Sequence, residues 1–231
     1  MTKNIIITGA SRGIGYEAAL ALANKKHQVL AVARTRNKLQ QLKEQKPGHI
    51  EIYPADLTDL DTVNALKKFI ELKYSKIDGI INNAGALINK PFTQLELSDW
   101  QTMLDSNLMT AIHLIQTLLP QMSEQSHILN ISSMGGYQGS AKFPGLSAYS
   151  VAKGALSILT ECLAVELKDR DIRSNALCLG MVQTEMLEEA FPGANAPVTA
   201  EQMGEYVANF AINGSTFYNG KILPVALQDP D

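Results

Sequence analysis

Between Ser133 and Lys153 the chain carries a serine, a tyrosine and a lysine in the order needed to move a proton onto a carbonyl oxygen. Tyr149 and Lys153 are four residues apart, so a helix sets them on one face about one turn from each other. A free phenol has a pKa of about 10 and exchanges protons poorly near neutrality, but a neighbouring ammonium favours the phenolate and lowers that value. Lys153 is suited to that task. Ser133 closes an apolar run and could hydrogen-bond the same oxygen, fixing it within reach of Tyr149. Its neighbour Ser132 would point to the opposite face of a strand.

Upstream, Thr8 to Gly15 reads T-G-A-S-R-G-I-G, between an apolar strand and a helix. Gly9 lets the chain turn sharply, Gly13 removes a side chain where a pyrophosphate approaches backbone, and Gly15 permits close packing of helix on sheet. Exposed N–H groups and the helix dipole then hold the phosphates, so Gly9, Ser11, Arg12, Gly13, Ile14 and Gly15 are the expected contacts on that side. A dinucleotide site joined to a proton donor points to hydride transfer. In reduction, hydride goes to the carbonyl carbon and Tyr149 protonates the oxygen; oxidation is the reverse.

These residues need a scaffold. Strand-like runs fall at residues 4–8, 28–33, 50–53, 79–82, 128–132, 174–179 and 222–225, with helical patterns at 13–24, 38–45, 59–73, 98–122, 148–168 and 200–212 between them. Several strands are apolar on both parities, as in a parallel sheet covered on both faces. The alternation predicts one α/β domain over residues 1–231, a Rossmann-type doubly wound parallel sheet of about seven strands. Two long irregular stretches, 134–147 and 180–199, follow strands and so belong at the carboxyl edge, where such sheets bind ligands.

The spacing G-x-x-x-G-x-G, together with Asn82-Asn83-Ala84-Gly85, Asn107 and Tyr149-x-x-x-Lys153, resembles the short-chain dehydrogenase/reductase family in its compact single-domain branch. The resemblance covers almost the whole chain. It implies that Lys153 also binds the nicotinamide ribose hydroxyls beside Tyr149, and that Asn107 holds a water completing a proton path to Lys153. It selects Ser133 over Ser132. It sets Asn83, Ala84 and Gly85 beneath the cofactor riboses, and the Val182 backbone and Thr184 hydroxyl on the nicotinamide carboxamide. Asp56 and Leu57 resemble the adenine-contacting pair, although Asp56 could equally cap a turn before Thr58. Ala33 stands where NAD-using members carry Asp, and Arg34 is the residue expected to grip a 2′-phosphate, with Arg12 as a second cation. NADP is therefore the expected cofactor.

Three departures from the family pattern stand out. The interval from Ser133 to Tyr149 is a few residues longer than the family norm, Leu179-Gly180 replaces the usual Pro-Gly, and the last strand lacks a following Gly-Gly before a short ending. That ending weakens the case for oligomer contacts through the C-terminus. Met134, Tyr137, Phe143, Leu146, Met181, Met186, Leu187 and Phe191 of the two loops suit a hydrophobic or aromatic ketone or aldehyde. Helix 148–168 is apolar nearly all round and must be covered on every side; the resemblance implies the same helix of a second subunit, in a homodimer or homotetramer.

Bulk properties narrow the alternatives. A net charge of −3 gives no case for nucleic acid or an anionic membrane, and no apolar run reaches membrane length. The two cysteines, Cys162 and Cys178, build no disulfide framework, so a reducing cytoplasm is expected. The four histidines are scattered and no metal is expected. The residues leave two alternatives open, an NAD-dependent alcohol dehydrogenase and a non-catalytic NADP-sensing or scaffold protein.

Overall fold

The computed structural model describes residues 1–227. Along the chain run β1 (Asn4–Thr8), α1 (Gly13–Asn24), β2 (Gln28–Ala33), α2 (Arg36–Gln45), β3 (Ile50–Pro54), α3 (Leu60–Lys73) and β4 (Ile77–Asn82). Then come α4 (Leu97–Leu104), α5 (Thr110–Leu118), β5 (Met122–Ser133), α6 (Ser147–Glu166) and β6 (Arg173–Leu179). The last elements are β7 (Val182–Gln183), α7 (Glu185–Ala190), β8 (Val198–Thr199), α8 (Ala200–Asn213) and β9 (Ile222–Val225). The seven-stranded sheet has the order β3-β2-β1-β4-β5-β6-β9 and is parallel throughout. This is the doubly wound Rossmann-type architecture. The chain winds outward from β1 to β3, returns to β4 beside β1 and continues the other way, which opens a crevice at the carboxyl ends of β1 and β4.

The isoleucine run of β1 shows why both faces are covered. Ile5 and Ile7 belong to the core beneath α1 and α8, whereas Ile6 faces the core built with α3, α5 and α6. Each such side chain contributes about 1.5–3 kcal/mol on burial. At the sheet's edge β9 contains Pro224, whose missing N–H is tolerated there. α6 is long and apolar enough to cross a membrane, and it packs on the sheet through buried Ala152, Leu156 and Thr160.

Three sequence expectations need correction. The helix expected over 98–122 is broken: α4 ends at Leu104, a π-helical turn spans Asp105–Met109, α5 follows, and a 3₁₀ turn covers Leu119–Gln121. The Asn107 side-chain amide donates to Met103 O at 2.9 Å, the carbonyl that an α-helical turn would pair with the Asn107 backbone N–H. The expected strand 128–132 is the second half of β5; before it the ladder jumps from Ile77–Met122 to Gly79–His127, with Gln125 at φ 62°. The expected irregular stretch 180–199 contains α7 and the two-residue β7–β8 ladder, elements too short for periodicity to register. The chain ending from residue 228 lies outside the described residues.

Candidate active site

The turn after β1 is braced from β4. Gly9 and Gly13 adopt φ of 67° and 57°, conformations that side chains disfavour, and a Cβ on Gly9 would lie 2.9 Å from Ala84 Cα. Thr8, which the motif reading passed over, holds this junction: its buried hydroxyl accepts the N–H of Asn83 at 3.0 Å and of Ala84 at 2.9 Å. The Asn83 side-chain amide donates to Thr8 O and Gly9 O, so its hydrogen bonds are made to the turn. Gly9, Ser11, Arg12, Gly13 and Ile14 line the cleft. Gly15 lies behind this lining, where a Cβ would meet Gly9 O at 2.6 Å, in keeping with its expected part in close packing.

At the nucleotide end, Ala33 closes β2 and is followed by Arg34, with Asp56 and Leu57 across the same cleft. Arg34 has no ion-pair partner among the described residues. Asp56 Oδ1 accepts both the backbone N–H of Thr58 at 3.0 Å and its hydroxyl at 2.7 Å. These bonds, helped by Arg34, hold its carboxyl below the usual carboxylate range. The turn-capping role of Asp56 is thus present in a residue that also faces the cleft. Arg12, expected as a second cation, is engaged by Glu189 of α7 in a two-point ion pair.

At the other end Ser133, Tyr149, Lys153 and Asn107 share one wall. Ser132 is turned away, donating to Lys153 O at 2.9 Å, while Ser133 Oγ lies on the cleft side and accepts from Gly135 N at 3.1 Å. Lys153 Nζ donates to Ile131 O at 2.9 Å and stands 5.9 Å from the Tyr149 ring centre. Asn107 Nδ2 donates to Ala86 O and Met103 O, each at 2.9 Å, whereas its buried Oδ1 has no partner. A Cβ on Gly85 would lie 2.5 Å from that Oδ1 and 3.4 Å from Lys153 Nζ, so the two groups converge on one spot.

Burial sets the protonation of this wall. It pushes Lys153 down to about 8, against a weaker opposing pull from Cys178. It pushes the Tyr149 phenol above its ordinary value, opposed by the Ser133 hydroxyl. The net shift of Tyr149 is upward, against the lowering expected from its spacing to Lys153, because burial penalises the charged phenolate. Tyr149 sits in a third apolar cluster with Met103 and Leu146, flanked by Leu87, Phe143 and Phe191.

One cleft of about 1010 Å³ runs from Arg34 past the glycine turn to Tyr149. The short chain dehydrogenase family profile matches residues 3–195. The chain belongs to this family. It is 28% identical over 208 residues to an uncharacterised oxidoreductase of Staphylococcus aureus (strain MW2), with 89% of each chain covered. It is 29% identical over 209 residues to another from Staphylococcus saprophyticus, with 88% of each covered. A fatty acyl-CoA reductase of Acinetobacter baylyi is 34% identical over 192 residues, spanning 80% of this chain and 64% of that one.

This short-chain dehydrogenase is accordingly an oxidoreductase, and the family implies a nicotinamide cofactor. The residues present fit one. The unpartnered Asn107 Oδ1 and the crowded spot at Gly85 lie at the catalytic end, and the glycine turn and Arg34 lie at the other. Val182 is buried by its pairing with Val198, and Thr184 Oγ caps α7 by accepting from Leu187 N at 3.3 Å, leaving its own proton free to donate. Seven of the eight expected apolar loop residues line the cleft; Tyr137 does not. The roles of Thr8 and Asn89 and the contact of Glu189 with Arg12 lie outside the sequence expectations; of the three only Glu189 had a signal, since Thr184 followed by Glu185 and Glu188 marks the start of α7.

Proposed function

We propose that this dehydrogenase is an NADP(H)-dependent reductase of a small apolar or aromatic ketone or aldehyde, with Tyr149 as the proton donor. The observation that carries the reading is the character of the cleft's two ends: Arg34 with no ion-pair partner among the described residues at one, and Ser133, Tyr149 and Lys153 facing an apolar wall at the other. The nicotinamide, when bound, supplies the hydride. Ser133 Oγ donates to the substrate oxygen and fixes it near the phenol. The Tyr149 O–H bond breaks as its proton passes to that oxygen, converting C=O to CH–OH. Burial favours the neutral phenol, which is the form a reduction needs. Asn107 Oδ1 accepts from a water bridging toward Lys153, which replenishes the proton.

Leu87, Phe143, Leu146, Met186, Leu187 and Phe191 around the catalytic end favour an apolar substrate. The Acinetobacter relative's acyl-CoA substrate does not carry over readily. Glu185, Glu188 and Glu189 give the lid an acidic rim, and Lys142 is the only cation in loops 134–147 and 180–199, whereas a coenzyme A phosphate calls for more. The working unit is a homodimer, or a homotetramer built on it. α6 exposes Val151, Ile158 and Val165 at seven-residue intervals, 52%, 60% and 76% accessible, as a stripe for the same helix of a second copy. The two free thiols, Cys162 exposed and Cys178 buried, fit a cytoplasmic setting.

The test is loss of NADPH absorbance with a panel of aromatic aldehydes and diketones. Turnover that Tyr149→Phe abolishes is expected. Cofactor binding without turnover anywhere on the panel would favour the cofactor-sensing alternative.

A further inference from the structure

The lid helix α7 reaches over the cleft and is held at both rims. On the β4 side, Ala190 O accepts from Asn89 Nδ2 at 3.0 Å. On the other side, both oxygens of Glu189 meet the Arg12 guanidinium, Nη2 to Oε2 at 2.9 Å. Arg12, Arg34 and Glu189 line one polar cavity of about 290 Å³. Arg12 and, more weakly, Lys38 hold the Glu189 carboxyl below its usual range, so a fixed anion sits among cations of the nucleotide end.

A carboxylate and a phosphate monoester offer the same pair of oxygens to a guanidinium fork. The geometry points to Glu189 as a residue that sets cofactor preference: its carboxylate occupies Arg12 in the place of a 2′-phosphate, so a 2′-phosphorylated nucleotide displaces it and an unphosphorylated one does not. This rests on the NADP reading of Arg12 and Arg34 given above. Two consequences follow. The phosphate brings a charge of about −1.5 to −2 against the single charge of Glu189, so displacement is favourable once it binds. The same exchange releases one of the two tethers of α7, which links the occupant of the nucleotide end to the lid over the substrate end. The ion pair is partly open to solvent, with side chains 35% and 61% accessible, so the competition is mild. Removing Glu189 should tighten 2′-phosphate binding about two- to fivefold, the range of an exposed ion pair.

The experiment is calorimetric titration of the full chain with 2′,5′-ADP and with 5′-AMP. Glu189→Gln and Glu189→Ala are each expected to tighten 2′,5′-ADP by that factor and to leave 5′-AMP unchanged. Glu188→Gln is the charge control, because it removes the same charge from α7 while Glu188 bonds Gly193 N and not Arg12; it is expected to change neither. Unchanged or weakened 2′,5′-ADP binding in both Glu189 variants overturns the inference, as does an equal gain in Glu188→Gln. The NADP reading fails by a separate result, a wild-type protein that binds 5′-AMP as tightly as 2′,5′-ADP.

Discussion

A methyl group on Gly85 would stand 2.5 Å from Asn107 Oδ1 and 3.4 Å from Lys153 Nζ. A carbon rests against an oxygen at about 3.3–3.6 Å, so Gly85→Ala demands roughly 1 Å of relief. Asn107 has little room to supply it, since its amide is pinned to Ala86 O and Met103 O at 2.9 Å each and the residue is buried in the π-helical turn. Overpacking of this kind costs about 1–3 kcal/mol. For a chain of this size each kcal/mol moves Tm by about 2–4 °C, so a drop of several degrees is expected in thermal unfolding. A shift of about 1 Å among groups that hold the reacting oxygen and its proton path costs about a hundredfold in turnover. The assay compares kcat of Gly85→Ala and of the wild type on whichever carbonyl the panel yields, with circular dichroism showing that both are folded. A Gly85→Ala enzyme with wild-type kcat would refute the convergence of Asn107 and Lys153 as a working part of the site.

Arg34→Asp should weaken NADPH and favour NADH, read as the ratio of their kcat/KM values; an unchanged ratio removes Arg34 from the 2′-phosphate site. His127 is buried with Nδ1 3.0 Å from Ala211 O and Nε2 accepting from Asn175 Nδ2 at 3.0 Å, and burial lowers it from 6.5 to about 4. Between those values the unfolded chain takes up a proton that the folded one does not. Stability is therefore full above about pH 6.5 and declines toward pH 4 by about 3 kcal/mol, visible as a falling urea midpoint that His127→Gln flattens. Ile158→Glu in the exposed stripe of α6 should yield monomers in light scattering with the fold retained by circular dichroism; an unaltered mass moves the interface elsewhere.

Local chemistry was the legible part of this chain. The bounds of β1, β2, β9 and α1 agree with the sequence to the residue, because each has a glycine, arginine or lysine at one end at least. The opposite facing of Ser132 and Ser133 followed from the strand period alone. Geometry that departs from a period was not legible. The π-helical turn at Asp105–Met109 shifts one turn by a single residue and leaves the apolar pattern of α4 and α5 nearly intact. Contacts between distant segments were equally hidden: nothing near Arg12 in the sequence announces Glu189, and the Thr8 hydroxyl reaches Asn83 and Ala84 only because β1 and β4 are neighbours in the sheet. Spacing likewise reveals the lysine near Tyr149 and not the depth at which both groups lie.

Isotope transfer tests hydride delivery to a carbonyl, with Tyr149 as the acid, most directly. NADPH deuterated at the transferable position of the nicotinamide ring is incubated with the protein and the carbonyl panel, and the products are read by mass spectrometry. The wild type is expected to give an alcohol one mass unit heavier, with about one deuterium on the former carbonyl carbon, and Tyr149→Phe to give none. Deuterated alcohol formed equally by both proteins, or none formed by a wild type that binds NADPH, would contradict it.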